Sequence, residues 1–192
     1  MILPIMPFGS DVLRKECVEI DKSHENLESL IENMFETMYA ASGVGLAAPQ
    51  INKSLRLFIV DTEPFEDEEN VGHVGIKKVF INPKILLKSG DIWSFNEGCL
   101  SIPDVREDVK RVSEVTLEYY DENFIKNTES FSALNARVIL HEYDHIDGVL
   151  FIDKITPLRK RMIKGKLKNI KNGDFSPQYS ICLLYTSPSP RD

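Results

Sequence analysis

Two histidines, His141 and His145, stand four residues apart in a segment whose apolar side chains recur at helical spacing, and this pairing restricts the fold more than any other feature of the chain. Leu134, Val138, His141 and His145 step by four, three and four, so both imidazoles continue the stripe that must face a core. The segment from Ser132 to Asp147 is predicted to be a helix, with Ser132 as its cap and Gly148 supplying the left-handed turn beyond its end. Any fold this chain adopts has to wrap a helix that carries two imidazoles inward. His141-Glu142-Tyr143-Asp144-His145 also has the HExxH form, in which imidazoles one helical turn apart can grip one metal ion while the intervening glutamate reaches metal-bound water.

Two imidazoles do not complete such a site, because a catalytic metal takes a third protein ligand and keeps one position open. The other histidines, His24 and His73, sit in strongly polar surroundings and read as surface residues. Cys99, within Glu97-Gly98-Cys99-Leu100-Ser101, is the better candidate: Gly98 allows a tight backbone path, and a thiolate is a strong ligand for a borderline metal. Cys17, Cys99 and Cys182 form an odd set without close spacing, which argues against a disulfide framework and for a reducing compartment. Upstream, the run from Gly43 to Gln50, GVGLAAPQ, consists of small residues ending in an uncharged amide. Gly43 and Gly45 let a peptide or small group approach the backbone closely, and the Gln50 amide can donate to an oxyanion. No lysine follows the last glycine, so this is not a phosphate-binding loop.

The remaining chain supplies what must surround the histidine helix. A length of 192 residues with 42% hydrophobic and 28% charged residues suits one domain with a sizeable core. An amphipathic helix is predicted from Ser23 to Ala41, with Ser23 as cap, followed by a glycine-rich loop and a strand over 55–62. Residues 63–70, EPFEDEEN, read as a solvated loop. Strands are predicted over 79–88, 92–97 and 115–124, the first two separated by a turn at Ser89-Gly90, and their succession without helices points to antiparallel pairing. A last helix starts at Thr156-Pro157 and runs towards Asn172.

The net charge of −7, from 23 basic and 30 acidic residues, argues against coating nucleic acid or acidic lipid. Seven of those basic residues fall between 157 and 171, where no acidic residue occurs, which leaves 16 basic against 30 acidic elsewhere. That helix is either a solvated face or a docking surface for something anionic such as RNA. Neither a basic leader nor a continuous apolar span is visible, and a soluble cytoplasmic protein is expected.

Gly43 to Gln50 fits a GxGxAAxQ pattern, Glu97 to Ser101 fits EGCLS and His141 to Gly148 fits HExxHxxG, in that order. On these motifs residues 1–172 resemble the peptide deformylase family, bacterial and organellar metalloenzymes that remove the formyl group from the initiator methionine of new proteins and release formate. The resemblance implies that Cys99, His141 and His145 hold one divalent metal ion, that Glu142 is the acid and base, and that Gln50 and the Leu100 amide bind the formyl oxygen, with Gly45 in the same catalytic set. Iron(II) is the implied ion in cells, with zinc, nickel or cobalt able to stand in. The implied fold is α+β, with antiparallel β-sheets packed around a central metal-binding helix and with N-terminal and C-terminal helices.

Methionine is an unbranched thioether that fills narrow apolar slots, and Val44, Leu134 and Val138 are expected to line its pocket. The partners expected are N-formylmethionyl peptides of nascent chains and, through helix 157–171, the ribosome; no membrane is expected, and the protein is expected to be a monomer. Two other readings stand beside this one: an HExxH metalloprotease, and a non-catalytic metal-stabilised module that docks on the ribosome. One catalytic domain is expected over 1–175. Residues 176–192, rich in serine and proline, are expected to be a disordered or non-native tail, with Leu183 to Asp192 suspected of being appended.

Overall fold

The computed structural model of the protein describes residues 1–66, 73–176 and 178–182. Strand β2 (Leu57–Asp61) is buried at all five positions, with Leu57 and Ile59 in one apolar cluster and Phe58 and Val60 in another. A strand buried on both faces needs a cover on each side. Helix α1 (Leu27–Ala40) covers one through Ile31, Met34 and Met38. Helix α2 (Ala133–Ile146) covers the other through Ala136, Ile139, Leu140 and Ile146. The strands form one antiparallel sheet in sequence order: β1 (Gly45–Ala47), β2, β3 (Lys77–Cys99), β4 (Ile102–Tyr120) and β5 (Lys126–Ser132). Helix α3 (Pro157–Asn172) packs Ile163, Leu167 and Ile170 with Val105 and Val109 of β4 in a third cluster. This is the α+β architecture expected, built on a single sheet. No helix among the described residues is long and apolar enough to cross a membrane.

Several local expectations differ from the structure. The turn predicted at Ser89-Gly90 is instead an irregularity inside one long strand, where the β3–β4 register shifts between Ser89 and Ile92 and Gly90 takes a φ of +76°. Strand β4 starts at Ile102 rather than 115. Its inward positions include Val105 and Val109 but also Glu107 and Arg111, so charge hides the alternation that marks a half-buried strand. Helix α1 begins at Leu27 with Asn26 as its cap, because Ser23 is held back in a turn where its N–H and Oγ both donate to Asp21. The Thr156 cap of α3 is as expected, its side chain accepting from the Arg159 N–H at 3.3 Å. Residues 67–70 of the acidic loop lie outside the described residues.

Part of the expected tail is docked. Ile5 donates to the Ser180 carbonyl at 3.0 Å, Cys182 donates to the Ile5 carbonyl at 2.8 Å, and Ile181 pairs with Ile5 as a parallel bridge. Residues 183–192, suspected of being appended, lie outside the described residues.

Gly148 closes α2 with a φ of +72°, and a Cβ there would lie 2.8 Å from the Arg14 carbonyl oxygen. Gly148→Ala is therefore expected to destabilise the fold by about 1–2 kcal/mol through the left-handed backbone alone, and by more if Arg14 has no room to move. Urea titration monitored by circular dichroism measures the change.

Candidate metal centre

Cys99 ends β3, and His141 and His145 lie on α2. Their ligand atoms all lie within 4.8 Å of one another, with Cys99 Sγ 3.2 Å from His145 Nε2. His145 is 1% exposed, and its packing leaves Nδ1 without a hydrogen-bond partner. Neither His24 nor His73 belongs to the group: His24 is exposed and the His73 ring lies 3.3 Å from the Thr62 carbonyl. One sulfur and two imidazole donors, converging beside a buried carboxylate oxygen that has no partner, fit a borderline divalent ion.

The orientation of His141 comes from Glu97. Its carboxylate receives Arg111 Nε at 2.6 Å and Nη2 at 2.9 Å, Arg137 Nη1 at 2.9 Å and His141 Nδ1 at 3.0 Å. With Nδ1–H donating to Glu97, the ring presents Nε2 to Cys99 and His145. Burial works against the Glu97 charge, yet the bonds from Arg111 and His141 hold its carboxyl well below the usual carboxylate range. Burial likewise opposes a charge on His141, but its bonds to Cys99 and Glu97 raise its pKa well above the ordinary value. His145, pushed down by burial and by the neighbouring His141 charge, is held neutral.

Glu142 is buried with Oε2 unpartnered, and burial pushes its pKa up to about 7. It lies against Gly45, where a Cβ would sit 2.5 Å from Glu142 Oε1, so glycine is what lets the carboxyl and β1 share this space. Gln50 is fixed at both ends of its amide: Oε1 accepts from the Ala47 N–H at 2.8 Å, and Nε2 points to Ser101 Oγ at 3.3 Å and Cys99 Sγ at 3.5 Å. A cavity of about 810 Å³ opens over these groups, and Val44, Leu100, Leu134 and Val138 are on its wall. All the site residues singled out in the sequence thus meet at one place.

Four residues of this region escape the motif reading. Arg111 and Arg137 hold Glu97, Phe95 lines the cavity, and Tyr179 lines it from the docked C-terminal segment. Arg137 lies one turn before His141 on the same side of α2, a register that sequence does display. Its guanidinium stacks 4.4 Å from the Trp93 ring centroid, which makes a fully buried arginine tolerable. Nothing in the local sequence points to Tyr179.

Fold and geometry together describe an α+β protein with a Cys/His/His group suited to one metal ion. Residues 2–161 match the family described as Polypeptide deformylase. The peptide deformylase of Flavobacterium psychrophilum is 57% identical over 190 residues, spanning 96% of this chain and 98% of the relative. That of Christiangramia forsetii is 52% identical over 187 residues, spanning 94% and 95%. Among solved structures, a peptide deformylase from Plasmodium falciparum superposes with a TM-score of 0.79 at 34% identity, over 88% of this chain and 95% of that one. A peptide deformylase from Legionella pneumophila gives 0.76 at 36% identity, over 90% and 96%. The chain belongs to the polypeptide deformylase family.

Replacing Glu97 by glutamine removes the charge that offsets two buried guanidinium groups and slackens the hold on His141. Glu97→Gln is expected to cost about 3–5 kcal/mol of stability and to weaken zinc affinity by about 10- to 100-fold, measured by urea titration and by competition with a chelator. The pKa of Glu97 is depressed on folding, so its contribution is present above the ordinary value of 4.5 and is lost only as pH falls through the lower folded value. The stability gap between Glu97→Gln and the unaltered protein should therefore be constant near neutral pH and narrow as pH falls below about 4.5.

Proposed function

We propose that this chain is a metal-dependent peptide deformylase that hydrolyses the formamide of N-formylmethionyl ends on nascent chains, with Cys99, His141 and His145 holding the ion. The observation that carries this reading is the convergence of those three donors beside the unpartnered Glu142 carboxylate under one cavity. When bound, a divalent ion supplies Lewis-acid polarisation of the formyl carbonyl and makes a water molecule acidic enough to attack near neutral pH. Iron(II) is the ion we assign in cells, and zinc, nickel or cobalt suit the same donors.

This chain's own groups then perform the rest. Glu142 takes the proton of the attacking water at its carboxylate as the water oxygen bonds to the formyl carbon. The Gln50 Nε2–H and the Leu100 N–H donate to the formyl oxygen as charge develops there, each such donor being worth about 3 kcal/mol in comparable hydrolases. Glu142 returns the proton to the departing nitrogen as the carbon–nitrogen bond breaks, leaving formate and a free amino terminus. Val44, Leu134 and Val138, on the cavity wall, form the slot for the methionine side chain.

All seven basic side chains of α3 are exposed, and this face is assigned to ribosome contact by a cytoplasmic monomer.

Glu142→Ala is expected to retain one bound metal ion per chain while slowing deformylation of a formyl-methionyl tripeptide by about 10³-fold. Cys99→Ala is expected to lose the ion. Metal analysis after anaerobic purification, paired with formate release, measures both. Unchanged turnover in Glu142→Ala would remove that residue from the mechanism. Cleavage of an unformylated, blocked peptide would favour a protease instead.

A further inference from the structure

The segment after α3 returns to the cavity and places one hydroxyl on the backbone next to Cys99. Tyr179 Oη donates to the Leu100 carbonyl oxygen at 2.7 Å, and its ring lines the same cavity as Gln50, Cys99 and Glu142. Leu100 stands between Cys99, a proposed ligand, and Ser101, whose Oγ receives the Gln50 amide. The loop from Cys99 to Ile102 is pinned elsewhere as well: the Phe8 N–H donates to the Ser101 carbonyl at 2.7 Å. The Leu100 carbonyl is the point at which the C-terminal segment joins this network.

Tyr179 is itself held firmly. Its neighbour Ser180 accepts from the Ile5 N–H, Cys182 donates back to Ile5, and the next residue, Met6, donates to the Gln50 carbonyl at 2.7 Å. The segments Ile5–Met6 and Tyr179–Cys182 are thereby tied to the two residues assigned to the formyl oxygen, Gln50 and Leu100. Burial raises the Tyr179 phenol above its ordinary pKa, with the nearby Cys99 acting in the same direction, so the hydroxyl stays protonated and remains a donor. The alignment with the Flavobacterium psychrophilum relative spans 96% of this chain, and a span of that size has to include Tyr179. The docked segment therefore falls within the part of the chain that aligns with that relative.

We propose that Tyr179 is a positioning residue for the reaction: by holding the Leu100 carbonyl it fixes the orientation of the Leu100 backbone, and so aims the Leu100 N–H at the formyl oxygen. This rests on the assignment of that N–H under the proposed function. The Leu100 carbonyl and the Leu100 N–H lie in adjoining peptide planes joined at Cα by φ and ψ, so with Cys99 held by strand pairing on one side, fixing the carbonyl plane on the other narrows both torsions and with them the direction of the N–H. A donor aimed at developing charge acts on the transition state more than on the bound substrate, so its misalignment lowers kcat before it raises KM.

Tyr179→Phe removes the hydroxyl and keeps the ring. In the zinc-loaded full chain it is expected to lower kcat on a formyl-methionyl tripeptide by about tenfold, equivalent to ~1.4 kcal/mol, with KM within about twofold and zinc content unchanged. The Leu100 amide cross-peak in a ¹H–¹⁵N spectrum of that zinc form should shift. A merely structural ring would leave kcat and this resonance as they are, and that result overturns the proposal; so does a fall in kcat with the Leu100 resonance unmoved. If the unaltered chain fails to deformylate, the proposed function fails, and an unshifted Leu100 resonance is then what independently refutes the hold of Tyr179 on that backbone.

Discussion

The carboxylate of Glu97 is the contact on which the rest of the site depends. It is buried near the end of β3, takes Arg111 from β4 on both oxygens, adds Arg137 from α2 on one and shares the other with His141. A single charge thereby joins two strands to the helix that carries the histidines. Arg111 reaches further, bonding the Leu140 carbonyl at 3.3 Å and Asp144 at 2.6 Å, so α2 is gripped on both sides of His141. Three groups of opposite or complementary charge share one dry place, and each would be costly there without the others. Their mutual need fixes the rotation of α2, and with it the direction of both imidazoles.

Around that framework the chemistry depends on small distances between backbones. Gly45 lets β1 pass beside Glu142, and a Cβ at Gly43 would stand 2.8 Å from Leu100 Cδ1. The Gln50 side chain is committed at its oxygen to Ala47, which leaves its amide nitrogen facing Ser101 and Cys99. Groups held this way lose little freedom when a substrate arrives, which is how a site stabilises developing charge without reorganising.

The same economy explains why residues 5–8 and 178–182 belong to the site although neither stretch carries a motif. Met6 bonds Gln50, Phe8 bonds Ser101, and the segment Gln178–Cys182 is laced to Ile5. These contacts are mostly backbone to backbone. They need no particular side chain, and so they leave no mark in a sequence. The residues most remote in number from the histidines support the turn nearest to them.

The amino-acid sequence by itself determined the helix with its paired histidines, the cysteine that meets them, the glutamine loop and the capped basic helix, because each is written in local spacing or in a run of residues with one chemical purpose. It also indicated an antiparallel α+β fold. The length and register of β4 were not legible, since Glu107 and Arg111 occupy inward positions that alternation reserves for apolar residues. Charged groups turn inward only where partners await them, and Arg159 for Glu107 and Glu97 for Arg111 come from other elements. Only the tertiary structure decided that Arg137 and Arg111 hold Glu97, that the Ser89-Gly90 pair bends a strand instead of ending it, and that Tyr179 reaches Leu100. Each of these is an interaction between distant segments, and its free energy exists only once the chain has brought them together.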